Sequence, residues 1–395
     1  MKKLNIAIVH PALDIYGGAE RQVIMLAQNL IKNGHSVKIY VSKLVQKNCF
    51  PEELEKIRKN IVVTGGPGWS DRAWLVSILA PIFMLKMAFK IDKNHDVINA
   101  HNPPSNLAVY FYKKFFNKKA KAVWMLNEPT SWKSSPKIAQ KGLNKFVFKI
   151  IGKLYNYLDE ISAKNFDEIV VLDFKNKEKI KNIYNKEARV VRTGLDYKKV
   201  DPETFNELME KYQLKNKKLI LTVNRLEKQK RVEDFIMSIE LLIKKNISLK
   251  NKVLGIIVGK GSEEFFLKDL VKKLNLSNEI LFIGSTTDKE LTAWYKLCDV
   301  FVFTPINQTW GLTPLEAMSF GKPSVISDGA GVIEVLKNKE NTMIVPTMNP
   351  KMTTNALEKL MFDETFYKNI SKNGEKYVKD NLSWEKYSKG ILKYF

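Results

Sequence analysis

The residues best suited to binding a phosphorylated ligand lie in one loop of the second half of the chain. Arg225 directly follows the apolar run 219–223, and Lys230 stands just before the next helical pattern. An arginine can bind two phosphate oxygens at once and a lysine adds a compact positive charge, so the two side chains could together hold a diphosphate. A solvated basic loop has the same composition and stays open as the alternative.

A second pattern, in residues 304–318, is more specific. A strand ends, a loop containing Gly311 follows, and a helix is predicted to begin near Pro314. Glu316 would lie in the first turn of that helix, where its carboxylate could accept hydrogen bonds from two vicinal hydroxyls such as those of a ribose. Thr313 and Glu316 also have the spacing of a capping box, with Pro314 at the first helical position. Both interpretations can hold if the helix begins at the ligand site.

The first half of the chain contains two weaker candidates. Gly17 and Gly18 stand directly before a predicted helix, where backbone N–H groups can approach a phosphate, although a plain turn is the simpler interpretation. His101 follows a predicted strand at 96–100, and its side chain is expected to face a ligand unless it is a structural histidine. The chain lacks both GxGxxG, the dinucleotide-binding fingerprint, and DxD, which would hold a metal ion on a nucleotide diphosphate.

An alternation of strands and helices must position these loops. Runs rich in Val, Ile and Leu predict the buried strands of parallel sheets. These runs lie at 4–9, 37–41, 96–100, 121–126, 169–172, 189–191, 219–223, 253–258, 280–283, 300–303, 324–327 and 343–345. Helical patterns between them, such as 19–32 and 138–161, predict two doubly wound α/β domains whose ligands bind at the carboxyl ends of the strands.

Length and composition limit the domain organisation. The chain has 395 residues, enough for about two to three domains. A polar stretch at 193–217 marks the predicted boundary between a first domain, 1–195, and a second, 196–382, and residues 383–395 are predicted to form a last amphipathic helix. Only two cysteines and four histidines occur, which excludes a disulfide framework and a structural zinc site. No secretory signal is recognisable and the longest apolar stretch, 73–85, is too short to span a bilayer, so we expect a cytoplasmic protein.

The formal net charge of +23 is concentrated in the first half, because residues 1–200 contain 35 of the 65 Lys and Arg but 17 of the 42 Asp and Glu. This excess indicates an anionic partner such as a phospholipid surface or a phosphorylated substrate, or else a generally lysine-rich composition. Lysines recur every four residues from 133 to 153, beside an apolar face that includes Leu154. They predict either a basic amphipathic helix on an anionic membrane or a core helix with a solvated back. No nucleic-acid-binding signature is present, so no nucleic acid is expected.

Taken in order along the chain, these motifs resemble glycosyltransferase family 4 over essentially its whole length. The resemblance rests on Gly-Gly-Ala-Glu-Arg at 17–21, on the pair Arg225 and Lys230, and on the segments 311–318 and 321–323. Members of this family are retaining enzymes with the GT-B fold, two facing Rossmann-like domains with a cleft between them. The resemblance therefore implies this fold, a last helix that crosses back to the first domain, and a role in cell-envelope glycan synthesis.

For the ligands, the resemblance implies a UDP-, GDP- or ADP-sugar donor in the second domain and a glycan or glycolipid acceptor in the first, with no cofactor and no metal ion. Arg225 and Lys230 would bind the diphosphate, and Glu316 would bind the ribose. His101 would touch the donor sugar or the reacting centre. Further donor contacts would come from Gly17, Gly18, Thr309, Trp310, Gly311, Leu312 and Glu334. The wording of 310–316 favours mannose, and the basic first half favours a lipid-linked acceptor at the inner face of the membrane.

The chain departs from the family pattern at several positions. The family has two glutamates separated by seven residues, and the first is replaced by Gln308, a candidate catalytic residue that can hydrogen-bond a sugar hydroxyl but carries no charge. Asn224 and Arg231 replace glycines, and a histidine that is common near Asn127 is missing. These departures keep open the alternative of a GT-B relative without transferase activity, such as a sugar-nucleotide epimerase or a degenerate binding subunit.

Overall fold

The computed structural model of the chain describes residues 2–68, 70–71, 73–129, 145–197, 199–308 and 310–395. The chain divides into two compact units, Met1–Gly194 together with Trp384–Phe395, and Leu195–Ser383. Each unit contains its own parallel sheet with helices between successive strands. The predicted class, two doubly wound α/β domains, is confirmed.

The first unit is built around a sheet with the strand order β5-β3-β1-β6-β7-β8-β9, in which every pair is parallel. The strands in its described ranges are β1 (Asn5–Val9), β2 (Ala12–Leu13), β3 (Ser36–Val41), β4 (Lys43–Leu44), β5 (Ile61–Val63), β6 (Val97–His101), β7 (Lys121–Leu126), β8 (Glu168–Val171) and β9 (Arg189–Val190). Its helices there are α1 (Gly18–Lys32), α2 (Pro51–Glu55), α3 (Ala73–Lys90), α4 (Ser105–Phe115), α5 (Lys145–Lys164) and α6 (Phe174–Tyr184). The short strands β2 and β4 pair separately.

The second unit has the strand order β12-β11-β10-β13-β14-β15, again with parallel pairs. Its described strands are β10 (Lys218–Val223), β11 (Val253–Val258), β12 (Ile280–Gly284), β13 (Val300–Phe303), β14 (Ser324–Ser327) and β15 (Met343–Val345). Its described helices are α7 (Pro202–Lys211), α8 (Val232–Lys245), α9 (Glu264–Lys273), α10 (Asp288–Leu297), α11 (Thr313–Ser319), α12 (Pro350–Phe362) and α13 (Glu364–Asn381).

The last helix, α14 (Trp384–Leu392), belongs to the first unit, where it packs on α1. Gly194 allows this return, because a Cβ atom there would lie 2.5 Å from the backbone of Trp384. Trp384 and Ile391 bury their side chains, as the amphipathic pattern of this segment predicts.

In both sheets the strand order reverses at one point. β1 pairs with β3 on one side and with β6 on the other, and β10 pairs in the same way with β11 and β13. In each unit, the strands that follow the first one are therefore added on one side of it, and the later strands are added on its other side. The loops after β1 and β6, and those after β10 and β13, flank these reversal points, where doubly wound sheets bind their ligands.

Several local predictions differ from the structure. The short strands β2, β4 and β5 were not predicted, and α7 lies inside the polar stretch 193–217. Of the predicted helix 138–161, the structure describes the part in α5, where Tyr155 and Leu158 pack on the core and Leu154 is 56% exposed. The prediction that Leu154 lies on the apolar face is therefore wrong. Within the described ranges, none of the helices combines the length and apolar character needed to cross a membrane.

Candidate active site

At the reversal point of the second unit, the loops after β10 and β13 are tied together. The backbone N–H of Ile306 donates to the carbonyl of Gln229 over 2.9 Å. The hydroxyl of Thr304 donates to the carbonyl of Arg231 over 3.0 Å. These bonds hold the two sequence-predicted loops side by side.

Lys230 and Gln308 meet at this junction. The side chain of Lys230 is buried, and its Nζ donates a hydrogen bond to Oε1 of Gln308. The backbone of Gln308 is held on both sides, since its N–H donates to Gly329 and its carbonyl accepts from Gly331, both over 3.0 Å. Because the ammonium occupies Oε1, the amide group of Gln308 presents its Nε2 as a hydrogen-bond donor. Two candidate residues that are distant in sequence thus form one polar centre.

Arg225 is placed differently from Lys230. Its side chain is 76% exposed and forms an ion pair with Glu227, with 3.1 Å between Nη1 and Oε1. Exposed pairs of this kind are weak, so Glu227 can yield Arg225 to a more highly charged ligand. In the structure Arg225 therefore stands outside the buried Lys230–Gln308 pair.

The residue after Lys230 explains one departure from the family pattern. Arg231 adopts the left-handed conformation, with φ of 51°, that glycine adopts easily and other residues rarely do. Its guanidinium binds both carboxylate oxygens of Asp234 in the first turn of α8 and also Glu233. The hydrogen bond to Asp234 raises the pKa of Arg231. This half-buried ion pair compensates for the strained backbone.

Glu316 does not form the predicted capping box. Helix α11 has no side-chain cap, its N-cap residue is Leu312, and Thr313 is its first helical residue. The Oε2 atom of Glu316 instead accepts a hydrogen bond of 2.7 Å from the hydroxyl of Tyr295 on α10. The half-buried carboxylate therefore remains able to accept hydrogen bonds from a ligand, as the ribose interpretation requires.

The other candidates around α11 differ in accessibility. Trp310 is 1% exposed, so its indole belongs to the interior, whereas Leu312 is half-buried and Glu334 is exposed on a 3-10 turn. Gly311 has φ of +89°, and a Cβ atom there would lie 2.9 Å from the ring of Phe303. The turn into α11 therefore requires glycine at this position. Thr309 lies outside the described residues.

In the first unit, the loop after β1 contains a buried pair that sequence reasoning missed. His10 contacts the carbonyl of His101 over 3.3 Å through Nδ1 and Oε1 of Glu20 over 3.4 Å through Nε2. A carbonyl oxygen only accepts hydrogen bonds, so Nδ1 of His10 carries a hydrogen. The sequence offered one signal for this pair: Glu20 of the Gly-Gly-Ala-Glu-Arg signature follows His10, at the end of the first predicted strand, in the same loop region.

The same glutamate determines what Gly17 does. A Cβ atom on Gly17 would lie 2.1 Å from Oε2 of Glu20, so the glycine leaves room for this carboxylate. The start of α1 is thus next to the negative charge of its own Glu20, which would repel a phosphate. The structure gives no support to a phosphate contact by Gly17 and Gly18.

His101 is 1% exposed, and this burial favours the structural histidine of the two interpretations that the sequence left open. Its Nε2 contacts Oδ1 of Asn99 over 2.7 Å, and the amide of Asn99 donates to the carbonyl of Val123. The Asn99 oxygen therefore accepts, and Nε2 of His101 carries the hydrogen. Burial, together with the neighbouring His10, holds the pKa of His101 well below its usual range. The ring is neutral at physiological pH.

Both halves of the chain match known family models. The family model described as "Glycosyltransferase Family 4" matches residues 16–199, and the model described as "Glycosyl transferases group 1" matches residues 204–377. Two Rossmann-like units with these motifs define the GT-B class of glycosyltransferases. The chain belongs to glycosyltransferase family 4, and it is a hexosyltransferase.

Individual relatives are distant, and they match either nearly the whole chain or a part of it. The alpha-1,3/1,6-mannosyltransferase ALG2 of Dictyostelium discoideum is 26% identical, with 99% of this chain and 97% of the relative covered. The serotype-specific mannosyltransferase WbdA of Escherichia coli is 31% identical over 45% of this chain and 22% of its own length. The crystal structure of Anabaena Alr3699/HepE in complex with UDP superposes with a TM-score of 0.76 at 16% identity, covering 99% of both chains.

Proposed function

We propose that this enzyme transfers mannose, with retention of configuration, from a nucleotide-diphosphate mannose to a lipid-linked glycan acceptor at a membrane surface, without a metal ion. The observation that carries the donor site is the junction of Lys230 with Gln308 at the reversal point of the second unit. Glu316 on the adjacent helix α11 supplies the carboxylate for the ribose. The mannosyltransferase relatives support the choice of sugar.

The transfer needs positive charge on the leaving group. The bond between C1 of the sugar and the β-phosphate oxygen breaks, and its electron pair leaves with the nucleoside diphosphate. The acceptor hydroxyl oxygen bonds to C1 on the same face, and its proton passes to the departing phosphate. Lys230 stabilises the negative charge that develops on that phosphate. Arg225 adds a second cation when it leaves Glu227.

These two cations fill the role that a metal ion has in other enzymes. We therefore expect donor turnover to be the same with EDTA as with added Mg²⁺ or Mn²⁺. A rate that disappears with EDTA and returns with one of these ions would contradict the metal-free proposal and leave the donor assignment intact.

The donor assignment is tested with a matched pair of lysine variants. Lys230→Met removes a buried cation, and Lys228→Met removes an exposed one from the same 3-10 turn. We expect Lys230→Met to weaken UDP or GDP binding by about 10- to 100-fold, because a charge-assisted hydrogen bond is lost. Lys228→Met should bind as the wild type does. Equal effects of the two substitutions would refute a diphosphate site at Lys230.

The sugar is tested with a panel of UDP-, GDP- and ADP-sugars, followed by thermal shift and by release of nucleoside diphosphate. A donor at about 100 times its dissociation constant should stabilise the fold by roughly 2.7 kcal/mol. We expect a mannose donor to give both stabilisation and slow hydrolysis. If the enzyme hydrolysed the donor of another sugar but not a mannose donor, the choice of mannose would be wrong.

An exposed aromatic surface on the first unit supports the membrane part of the proposal. This aromatic patch is centred on Phe89 of α3 and Phe115 of α4, and it is bordered by Phe111 and Phe116, which pack partly on the core. Phe89 is 62% and Phe115 53% exposed, and their rings stack with centroids 6.3 Å apart. Exposed stacked phenylalanines are rare on a protein that faces only water.

Lysines surround the aromatic patch. The ammonium of Lys114 lies 5.7 Å from the ring centre of Phe115, and that of Lys93 lies 5.4 Å from that of Phe116. Aromatic side chains beside lysines are typical of surfaces that insert at the headgroups of anionic lipids. The patch is a second candidate for the membrane contact, beside the lysines from 133 to 153. Of those lysines, Lys133, Lys137 and Lys141 lie outside the described residues.

Liposome binding tests this surface. Phe89→Ala with Phe115→Ala should weaken binding to phosphatidylglycerol-containing vesicles by roughly tenfold, because apolar burial in the headgroup layer is lost. The matched control is Phe362→Ala, which removes an equally exposed phenylalanine from the second unit. Unchanged binding of the double variant would reject the patch as the membrane contact.

A further inference from the structure

The ring of Tyr295 is held rigidly behind Glu316. Tyr295 is 3% exposed, and its ring centre lies 5.9 Å from that of Phe301 on β13 and 6.3 Å from that of Phe320 at the end of α11. Packing against aromatic rings of two different elements restricts the movement of this ring. Its hydroxyl is therefore a fixed point at the carboxylate of Glu316, which accepts its hydrogen bond over 2.7 Å.

The carboxylate would otherwise have considerable freedom. A glutamate side chain has three rotatable bonds, and ordering them when a ligand binds costs conformational entropy. The bond from Tyr295 orders Oε2 of Glu316 before any ligand arrives. Each carboxylate oxygen accepts two hydrogen bonds, so Glu316 can still receive both hydroxyls of a diol.

We propose that Tyr295 is a positioning residue for ribose recognition, acting through Glu316. This inference rests on the proposed function, in which Glu316 binds the ribose. In this proposal Tyr295 affects the ligand through the Glu316 carboxylate and not by direct contact. It makes the enzyme discriminate between ribose and deoxyribose nucleotides by presenting a preordered carboxylate to the 2′ and 3′ hydroxyls.

Nucleotide binding by calorimetry tests the inference without requiring the sugar or the acceptor to be known. The probes are UDP, GDP and their 2′-deoxy counterparts, measured on the full chain. The variants are Tyr295→Phe, Glu316→Ala and the combination of both. The matched control is Tyr367→Phe, which also removes one hydroxyl hydrogen bond in the second unit, to the carbonyl of Asp299.

For the wild type, we expect the ribonucleotide to bind about tenfold more tightly than its deoxy form. The deoxy form lacks the 2′ hydroxyl, so it leaves the Glu316 carboxylate without one of its hydrogen bonds. Tyr295→Phe should reduce this ratio by about threefold, and Glu316→Ala should bring it close to one. The double variant should behave as Glu316→Ala alone, because Tyr295 acts only through that carboxylate. Tyr367→Phe should keep the wild-type ratio.

Two outcomes separate the inference from the proposal beneath it. A ratio that Glu316→Ala abolishes but Tyr295→Phe leaves unchanged would overturn the positioning role and retain the ribose site. A ratio that survives Glu316→Ala would overturn both. A Tyr295→Phe variant with a lower thermal midpoint but an unchanged ratio would show a packing role only, and this would also refute the inference.

Discussion

The contact between Lys230 and Gln308 is the main residue-scale feature of the donor site. The family has a carboxylate where this chain has an amide, so the partner of the Lys230 ammonium is neutral. A neutral partner leaves the full positive charge available to a diphosphate. A carboxylate at 308 would offset part of that charge.

Gln308→Glu should therefore weaken UDP or GDP binding by about 3- to 10-fold, because the new carboxylate competes with the diphosphate for Lys230. Gln229→Glu is the matched control, since it adds the same charge at an exposed position beside Lys230. Calorimetric titration of both variants measures the effect. Equal affinities of Gln308→Glu and the wild type would show that the charge of Lys230 does not reach the nucleotide.

At the scale of elements, a buried polar cluster joins three helices of the first unit. The carboxylate of Asp159 on α5 accepts hydrogen bonds from Asn106 on α4 and from Tyr184 on α6, over 2.9 and 2.7 Å. Burial raises the pKa of the Asp159 carboxyl despite these two bonds. The cluster orients α4, α5 and α6 at the cost of desolvating a charge.

The sign of this shift gives a pH dependence. The pKa of Asp159 is higher in the folded state than in the unfolded chain, where it is near 3.8. The free energy of unfolding therefore decreases as the pH rises from 3.8 through the higher folded pKa, because the buried carboxyl must ionise. Asp159→Asn should therefore gain stability relative to the wild type over this window. Urea unfolding at a series of pH values measures the difference.

The opposite control is Asp71→Asn. The Gly68 N–H and then the Lys43 ammonium lower the pKa of Asp71, so its ionised form stabilises the fold above about 3.8, and this stability is lost as the pH falls through the lowered value. The variant should lose stability relative to the wild type as the pH rises. If the stability difference from the wild type changed with pH in the same direction for both variants, the environments assigned to Asp159 and Asp71 would be wrong.

For the whole molecule, the candidate donor residues Lys230, Gln308 and Glu316 all belong to the second unit. Hydrogen exchange of the full chain should therefore show that the nucleotide protects the second unit and not the loop after β1. Saturating UDP or GDP should slow amide exchange in 224–231 and 304–312 and leave 10–21 unchanged, because Glu20 already occupies the space beside Gly17. Protection of 10–21 by the nucleotide alone would restore a phosphate contact to the Gly17–Gly18 loop.

Hydrophobic patterning was enough to predict the parallel sheets and the loops that carry the candidate residues. Strand and helix periodicity are local properties of hydrophobic patterning, so the strands 121–126, 253–258 and 300–303 agree with the structure to the residue. The motif order also sufficed to indicate the family, because it depends only on residue types along the chain.

The contacts between side chains from distant parts of the chain could be learned from the folded structure but not from the sequence. Lys230 donates a hydrogen bond to Gln308, 78 residues further along the chain. The Glu316 carboxylate accepts a hydrogen bond from Tyr295 and does not form the capping box that its spacing predicted. Leu154 is exposed against the local pattern, and His101 is buried, which the sequence had left open. Burial and rotamer choice depend on neighbours supplied by distant strands and helices, and local periodicity contains no information about those neighbours.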